Sequence, residues 1–269
     1  MNWNLRQVRN AVYVLLAVIF GIRLFMYQKW SFHKTTCDIL DTHTQKLVFG
    51  ALGPVTDTSC RKLESFGSGD DEKRVCMDDI DPSEPCLVFS IGSNNQWGFE
   101  EAIAARTHCK VKTFDCTGHF SVPRAIQSRV EFHKLCVGSS TEGEFITWLD
   151  LVKTFGKPTV VKMDIEGWEW TVLRQITKHS APRQVLAEIH ACSYFQAAAL
   201  PQPPYVDSSG DVSDYWNRDT IRYVKLANPI ADIGSLMEQL KTKGLFLLDR
   251  HDNPYCLHCS EIVLRAKLQ

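Results

Sequence analysis

The stretch TVVKMDIEGWEWTVLRQI, residues 159–176, decides the fold that this sequence predicts. Residues 159–163 form a short apolar run, which is typical of a β-strand buried on both faces. The carboxylates of Asp164 and Glu166 follow, and from Glu166 to Ile176 apolar residues recur near one helical face. The stretch therefore predicts a strand, a polar turn and a helix, in the order that parallel β-sheets use.

The same alternation of strands and helices continues on both sides of this stretch. Six further strands are predicted, at residues 86–91, 111–115, 130–137, 184–189, 245–249 and 261–266. Three further helices are predicted, at residues 99–106, 145–155 and 233–243. Such alternation predicts an α/β fold with a doubly wound, mostly parallel seven-stranded sheet and helices on both faces.

The composition is that of a globular protein without an excess of charge. The 269 residues include 30 Lys and Arg against 31 Asp and Glu, a net charge of −1. The charge balance gives no reason to expect a nucleic-acid partner. Apolar residues make up 44% of the chain and charged residues 23%, which excludes a disordered chain. Ten cysteines are more than a chain of this length usually carries, and their even number fits an oxidising compartment, although buried thiols are the alternative interpretation.

The amino-terminal part predicts a membrane anchor. After a short tail at residues 1–10, residues 11–27 are apolar except for Arg23. This length is at the short end for a transmembrane helix, and no cleavage site follows, so we expect a single uncleaved signal anchor. The alternative is a buried helix of the globular domain. Residues 28–80 are predicted as a connector, and residues 81–269 as the folded domain.

The basic residues beside the predicted anchor slightly favour a cytoplasmic amino terminus. The protein is then expected to be a single-pass membrane protein of the Golgi or another secretory-pathway membrane, with a luminal domain. Pairing of the cysteines fits such a lumen.

Candidate site residues stand where four predicted strands end, because ligands of doubly wound sheets bind at the carboxyl edge. The first strand ends in Gly92, Ser93, Asn94 and Asn95, a tight polar turn that is not the dinucleotide fingerprint G-x-G-x-x-G. The second strand ends in Asp115, 23 residues after Gly92, which is close to the separation that a ribose-binding carboxylate needs. A helix cap is the alternative for Asp115.

Two further strand ends carry candidate catalytic groups. Asp164 is expected to face the cleft, whereas Glu166 has the alternative of capping the next helix. His190 ends the fifth strand, on the same side as Glu188, and we predict that it takes a proton from an acceptor hydroxyl. A structural histidine is the alternative. Asp164 and His190 alone do not make a metal site, so no metal is predicted.

The motif Cys256-Leu-His-Cys259 resembles half of a zinc knuckle without a second half. We therefore expect a disulfide there, either local or to other cysteines.

The run TWLDLVKTFGKPTVVKMDIEGWEWTVLRQI at 147–176, followed by VLAEIH at 185–190, resembles the FkbM family of S-adenosylmethionine-dependent methyltransferases. Its most specific part is KMDIEGWE, at 162–169. The strings LVFSIGSNNQWGFE and NPYCLHCSEIVL resemble a eukaryotic methyltransferase-like branch whose members often carry an amino-terminal anchor.

This resemblance implies a class I methyltransferase (Rossmann-like) fold and S-adenosyl-L-methionine as cofactor. By the resemblance, the turn from Gly92 to Asn95 holds the methionine part and Asp115 holds the ribose. Asp164 stands beside the sulfonium and the acceptor. Two further cofactor contacts are implied, at Cys116 and at Val137 near the adenine. The sequence departs from the family pattern at Ser90 and Asn94, which stand where an acidic residue and a second glycine are usual.

These features predict an O-methyltransferase that acts on a sugar or a small-molecule hydroxyl, with Asp164 and His190 helping to remove the proton. Residues 191–230 contain Tyr194, Tyr205, Tyr215 and Trp216 and are predicted to form a wall for a glycan acceptor. One alternative is a catalytically inactive scaffold or binding module with the same fold. A second alternative is a nicotinamide-dependent oxidoreductase, for which the phosphate-binding loop is missing.

Overall fold

The computed structural model describes residues 42–191 and 229–267. Eleven strands occur in this part: β1 (Leu63–Phe66), β2 (Lys73–Cys76), β3 (Leu87–Ile91), β4 (Lys110–Phe114), β5 (Val130–His133), β6 (Cys136–Gly138), β7 (Phe145–Thr147), β8 (Val160–Met163), β9 (Gln184–His190), β10 (Leu245–Asp252) and β11 (Cys259–Ala266). Five α-helices accompany them: α1 (Thr42–Gly50), α2 (Gly98–Arg106), α3 (Trp148–Phe155), α4 (Glu169–Gln175) and α5 (Pro229–Thr242).

Seven strands form the central sheet, in the order β10-β11-β9-β8-β3-β4-β5. The strands from β9 to β5 are all parallel to their neighbours, whereas β11 runs antiparallel to both β9 and β10. The predicted mostly parallel, doubly wound seven-stranded sheet is therefore confirmed. Its parallel strands all end at the same edge, as the predicted site requires.

Helices cover both faces of this sheet with separate apolar cores. One core joins the sheet to α1, α3, α4 and α5, and Trp148 and Trp170 are fully buried in it. The other core lies beneath α2 and the β1–β2 hairpin and includes Phe66, Val75 and Phe99. Burying each of these large side chains contributes roughly 2–3 kcal/mol relative to exposure, so both cores hold the sheet in place.

Part of the predicted connector belongs to the folded domain. Within the predicted connector, residues 63–76 form the β1–β2 hairpin, which packs on the sheet. The buried Gln184 side chain accepts a hydrogen bond from the Cys76 amide at 2.7 Å and donates one to the Cys76 carbonyl at 2.7 Å. Arg265 of β11 donates to both carboxylate oxygens of Asp79, at 2.7 and 2.9 Å. Polar groups of the sheet therefore fix a segment whose sequence resembles a loop.

Two predicted elements are divided in the structure. The predicted strand 130–137 turns after His133, so that β5 joins the central sheet and β6 pairs with β7 in a separate two-stranded sheet. The predicted helix 145–155 begins only at Trp148, because Thr147 caps it by accepting a hydrogen bond from the Asp150 amide. The residues before Thr147 pair as strand β7 instead.

Two predicted features lie outside the described residues: the membrane anchor at residues 11–27 and nearly all of the acceptor wall at residues 191–230. Within the described ranges, no helix has the length and apolar character that crossing a membrane requires.

All cysteines in the described part of the chain are paired in disulfides. The four bonds join Cys60 to Cys76, Cys86 to Cys109, Cys116 to Cys136 and Cys256 to Cys259. The disulfide predicted at Cys256 and Cys259 is the local one of the two pairings that the sequence leaves open. These eight residues are not the buried free thiols of the alternative interpretation.

Candidate active site

The turn after β3 and the residue after β4 lie side by side, as the sequence predicts. One oxygen of the Asp115 carboxylate accepts hydrogen bonds from the amides of Ser93, at 2.9 Å, and Asn94, at 2.7 Å. Its other oxygen accepts from the amide and the hydroxyl of Thr117, at 2.8 and 2.6 Å. A carboxylate offers about four acceptor sites, and at Asp115 four hydrogen bonds come from the protein's own loops after β3 and β4. The predicted ribose contact requires one of these donors to move.

Close packing within the protein requires a glycine at position 92. A Cβ atom on this residue would lie 1.8 Å from the carbonyl oxygen of Asp164, and its φ angle is +79°. The sequence predicts that this glycine permits close approach of a ligand, whereas the structure shows close approach of the β8 strand end. Asn94 and Asn95, in the same turn, have φ angles of 46° and 61°. Because asparagine adopts this region more readily than most residues, Asn94 replaces the second glycine without disrupting the turn.

Buried polar groups support the turn from below. The ammonium of Lys162, which is buried in β8, donates a hydrogen bond to the Gly92 carbonyl. Burial raises the pKa of Glu100, which accepts a hydrogen bond from the Thr113 hydroxyl at 3.2 Å. The buried Ser93 hydroxyl has no hydrogen-bond partner within the described residues. A buried hydroxyl without a partner is costly, so a bound ligand at this turn would satisfy a group that the chain leaves open.

The two predicted catalytic residues, Asp164 and His190, are brought together. One polar atom each of Asp164, Glu169 and His190 lie within 4.8 Å of one another. His190 Nδ1 is 3.2 Å from Glu169 Oε1, and His190 Nε2 is 3.5 Å from Glu166 Oε2. Burial disfavours the charged ring, but the carboxylates of Glu169, Glu166 and Asp164 outweigh it and raise the pKa of His190 to about 10. His190 is therefore protonated at neutral pH, which does not fit its predicted role as proton acceptor.

Glu169 is a site residue that the sequence reasoning missed. Its fully buried carboxylate accepts the amide hydrogens of Ile165, at 2.7 Å, and Gly167, at 2.9 Å, besides contacting His190. These bonds order the turn between β8 and α4, where Glu166 has a φ angle of 56°. Helix α4 consequently begins at Glu169 and not at Glu166 as predicted. Glu166 is largely exposed, and the second acidic position of the motif therefore faces outward.

A buried lysine connects Asp164 to two further carboxylates. Lys73 Nζ lies 3.7 Å from Asp164, 3.7 Å from Glu188 and 2.7 Å from Glu261. Although burial opposes its charge, these carboxylates raise the pKa of Lys73. Burial, together with the negative charges of Asp164 and Glu261, raises the pKa of Glu188 to about 7. The two-residue spacing of Glu188 and His190 in the sequence indicates that they lie on the same side of β9. No local sequence pattern indicates that Lys73 is buried beside them.

The side chains of the two residues predicted at the adenine end are both engaged within the protein. Cys116 is bonded to Cys136, so its sulfur joins the segments that follow β4 and β5 and is not a free thiol. The Val137 side chain is buried in the apolar core, where it packs among other hydrophobic residues. If these residues contact a cofactor, they do so through the backbone that the disulfide positions.

The strand order and the polar turn at the carboxyl edge define a class of protein, the methyltransferases with a class I-like fold. A family model described as a methyltransferase domain matches residues 42–233. The chain belongs to this methyltransferase domain family. The match begins at α1, in agreement with the packing of that helix and the hairpin on the sheet. The sequence matches none of the curated proteins with which it was compared.

Two solved structures are among those to which this chain is similar. The fibrillarin pre-rRNA processing protein of Methanococcus jannaschii is 10% identical, with 81% of this chain and 88% of that chain covered and a TM-score of 0.39. Sp1610 of Streptococcus pneumoniae, solved in complex with S-adenosyl-L-methionine, is 10% identical, with 71% and 72% covered and a TM-score of 0.34.

Proposed function

We propose that this protein transfers a methyl group from S-adenosyl-L-methionine to a hydroxyl oxygen of a sugar or another small molecule. The observation that carries the proposal is the bonding of the Ser93 and Asn94 amides to Asp115, beside Asp164. This arrangement gives an ordered polar turn at the carboxyl edge of the sheet, where ligands of such folds bind. The buried Ser93 hydroxyl, which has no hydrogen-bond partner within the described residues, fits a polar ligand there.

S-adenosyl-L-methionine, when bound, supplies an electrophilic methyl group on its sulfonium. Among the chain's own residues, we assign the turn from Gly92 to Asn95 to the methionine part and Asp115 to ordering that turn. Asp164 is about one-fifth exposed and lies next to the turn through the contact of its carbonyl with Gly92. A methyltransferase must chiefly align the two reactants, and these ordered groups suit that task.

His190 has a role that fits its protonated ring. Glu169 holds Nδ1, so Nε2 faces Glu166 and the region beside Asp164. An imidazolium held in this way donates hydrogen bonds and offsets the negative charge of the surrounding carboxylates. We therefore assign His190 to orientation and charge balance, while proton acceptance falls to a carboxylate.

Calorimetry with S-adenosyl-L-methionine tests the proposal. The wild-type protein is expected to bind it, and Asp115→Asn is expected to weaken binding by about 10- to 100-fold, since charge-assisted hydrogen bonds contribute about 1.5–3 kcal/mol. Asp81→Asn is a matched control, because Asp81 makes the same pair of bonds to Ser83 outside the proposed site. Absence of heat with the wild type would contradict the proposal and favour the inactive scaffold.

The finer assignments also belong to this proposal. The motif at 162–169 supports a relationship to the FkbM family, because its polar residues order two turns of the candidate site. Lys162 and the Asp164 carbonyl contact Gly92 in the turn after β3, and Glu169 orders the turn after β8. The four disulfides support a luminal domain, since disulfides persist in the secretory pathway. A protease-protection assay with a tag at each end tests both the membrane anchor at 11–27 and the side on which the domain lies.

A further inference from the structure

A cavity of about 580 Å³ opens over β9, β10 and β11, beside the three carboxylates that surround Lys73. Its volume falls within the range of roughly 300–1,000 Å³ that small-molecule sites occupy. Glu188 and Glu261, which face each other across β9 and β11, both line it. Lys73 Nζ lies 3.7 Å from both Glu188 and Asp164, so one ammonium group separates the cavity from the proposed methyl-transfer position. The cavity is therefore placed for the methyl acceptor.

The charges of this cavity select among acceptors. Four carboxylates line it, those of Glu72, Glu188, Asp249 and Glu261. The lining cation Arg74 is already paired with Asp249, at 2.7 Å. Ionised carboxylates only accept hydrogen bonds, so a ligand must supply hydroxyl or amine donors. An anionic ligand would add a like charge to a partly buried acidic wall, which is unfavourable.

An aromatic residue stands at the cavity in a fixed turn. Tyr255 is 98% exposed and lines the cavity together with Asn253. The Asn253 side chain accepts the Tyr255 amide hydrogen at 2.9 Å, and the disulfide between Cys256 and Cys259 closes the next residues. A flat aromatic face with a hydroxyl at one end suits a sugar ring, which has apolar faces and polar edges.

Glu188 is the carboxylate at the position where a reacting hydroxyl would lie. Two lining carboxylates, Glu188 and Glu261, share Lys73 with Asp164, and the Glu188 side chain is the more buried of the two, at 7% against 28% exposed. The raised pKa of Glu188, to about 7, supports this position, because a general base works best with a pKa near the working pH.

Building on the proposed function, we infer that this cavity binds the methyl acceptor, that the acceptor is a neutral or amine-bearing sugar, and that Glu188 accepts the proton of its reacting hydroxyl. In the balanced step, the acceptor O–H bond breaks and its proton moves to the Glu188 carboxylate. The oxygen forms a bond to the methyl carbon, whose bond to the sulfonium breaks, leaving a neutral thioether.

Binding of three matched glycosides tests the acceptor class without any turnover. The probes are methyl β-D-glucoside, its 2-amino-2-deoxy analogue and its uronate, titrated into the full-length protein and followed by saturation-transfer NMR. The glucoside and the amino sugar are expected to bind at least tenfold more tightly than the uronate. The double variant Asp249→Asn, Glu261→Gln is expected to reduce that ratio below threefold. Equal binding of the uronate, or binding of none of the probes, would overturn the inference.

The role of Glu188 is tested by the pH dependence of single-turnover methyl transfer to the bound glycoside. The charged groups that face Glu188 are Asp164 after β8, Glu261 on β11, Lys73 on β2 and His190 on β9. The wild-type rate is expected to rise about tenfold per pH unit below 7 and to level off above it. Glu188→Gln is expected to lose at least 100-fold in rate, and with it this pH step.

Two controls keep this test decisive. Glu131→Gln removes an exposed carboxylate at the other edge of the sheet and is expected to change neither rate nor pH profile. Glu188→Asp retains a carboxyl group and must keep the pH step at a reduced rate, even where the glutamine variant does not fold. A Glu188→Gln protein that binds S-adenosyl-L-methionine but keeps the wild-type rate and pH step would overturn the role of Glu188. Loss of S-adenosyl-L-methionine binding by the wild type would instead refute the proposed function.

Discussion

Gly92 joins two strands through a single backbone position. Its positive φ angle and its contact with the Asp164 carbonyl both exclude a side chain. The turn that holds the proposed cofactor site and the strand that carries Asp164 are therefore fixed relative to each other by the absence of one carbon atom.

A side chain at position 92 should consequently lower the free energy of unfolding by more than the strain of the positive φ angle alone. Gly92→Ala is expected to reduce the free energy of unfolding by at least about 3 kcal/mol, from the strained angle together with overpacking. Gly143→Ala is the matched control, since Gly143 has a φ angle of +62° with nothing within 4 Å, and should cost about 1–2 kcal/mol. Urea unfolding of both variants measures the difference, and equal costs would refute the steric account.

His190 links stability to pH. The pKa of His190 in the folded state is about 10, above the ordinary value of 6.5. The protonated ring therefore contributes its full stabilisation of the folded state below pH 6.5, and this contribution is lost as the pH rises towards 10. The free energy of unfolding of the wild type should therefore exceed that of His190→Gln most at pH 6, and the difference should shrink by pH 9. Urea unfolding at both values checks this expectation. A difference independent of pH would show that folding does not raise the pKa of His190.

At this scale, part of the site was predictable from the sequence. The period of two along a strand and the shared edge of parallel strands predict that Gly92, Asp115, Asp164 and His190 meet, and they do. The protonation state of His190 was not predictable, because it depends on carboxylates from the turn at Asp164–Glu169 that only the folded geometry brings to the ring.

Among the elements, the β1–β2 hairpin contributes most that the sequence did not reveal. Its Lys73 lies almost completely buried among carboxylates from the ends of β8, β9 and β11. The surrounding sequence, GDDEKR, reads as an exposed loop, since nothing local distinguishes a lysine that will be buried by distant strands. The predicted starts of α3 and α4 were wrong for a similar reason, because hydrogen bonds at Thr147 and Glu169 decide where these helices begin.

Removal of the Lys73 charge should be costly and pH-dependent. Lys73→Met is expected to lower the free energy of unfolding by about 3–5 kcal/mol at pH 7.5, because it leaves buried carboxylates unpaired. The cost should decrease as the pH falls, since the pKa of Glu188 is raised to about 7 and that of Glu261 is also raised, so that both carboxylates are more readily protonated. Lys62→Met, which removes the exposed partner of Glu64, should cost at most about 1 kcal/mol. A cost for Lys73→Met that does not vary with pH would contradict this account.

The whole molecule is held by disulfides that differ greatly in the length of chain they enclose. Three of them join residues 16 to 23 positions apart, whereas Cys256 and Cys259 are three apart. Because a longer loop restricts the unfolded chain more, the three long-loop bonds are expected to contribute more stability.

Paired alanine variants test this difference. Cys86→Ala with Cys109→Ala should lower the free energy of unfolding by about 3 kcal/mol, and Cys256→Ala with Cys259→Ala by about half of that. Thermal unfolding under oxidising conditions measures both, and a larger loss from the short loop would contradict the expectation. Production in a reducing cytosol should lower the melting temperature below that of protein secreted through an oxidising compartment.

The position of β11 has a consequence for the synthesis of the protein. This strand comes after β10 in the sequence but lies between β9 and β10 in the sheet. A nascent chain that has not yet released residues 259–266 from the ribosome leaves both of those neighbours without their shared partner. The domain therefore completes its central sheet only after translation has passed this strand, and until then the edges of β9 and β10 have no partner strand between them.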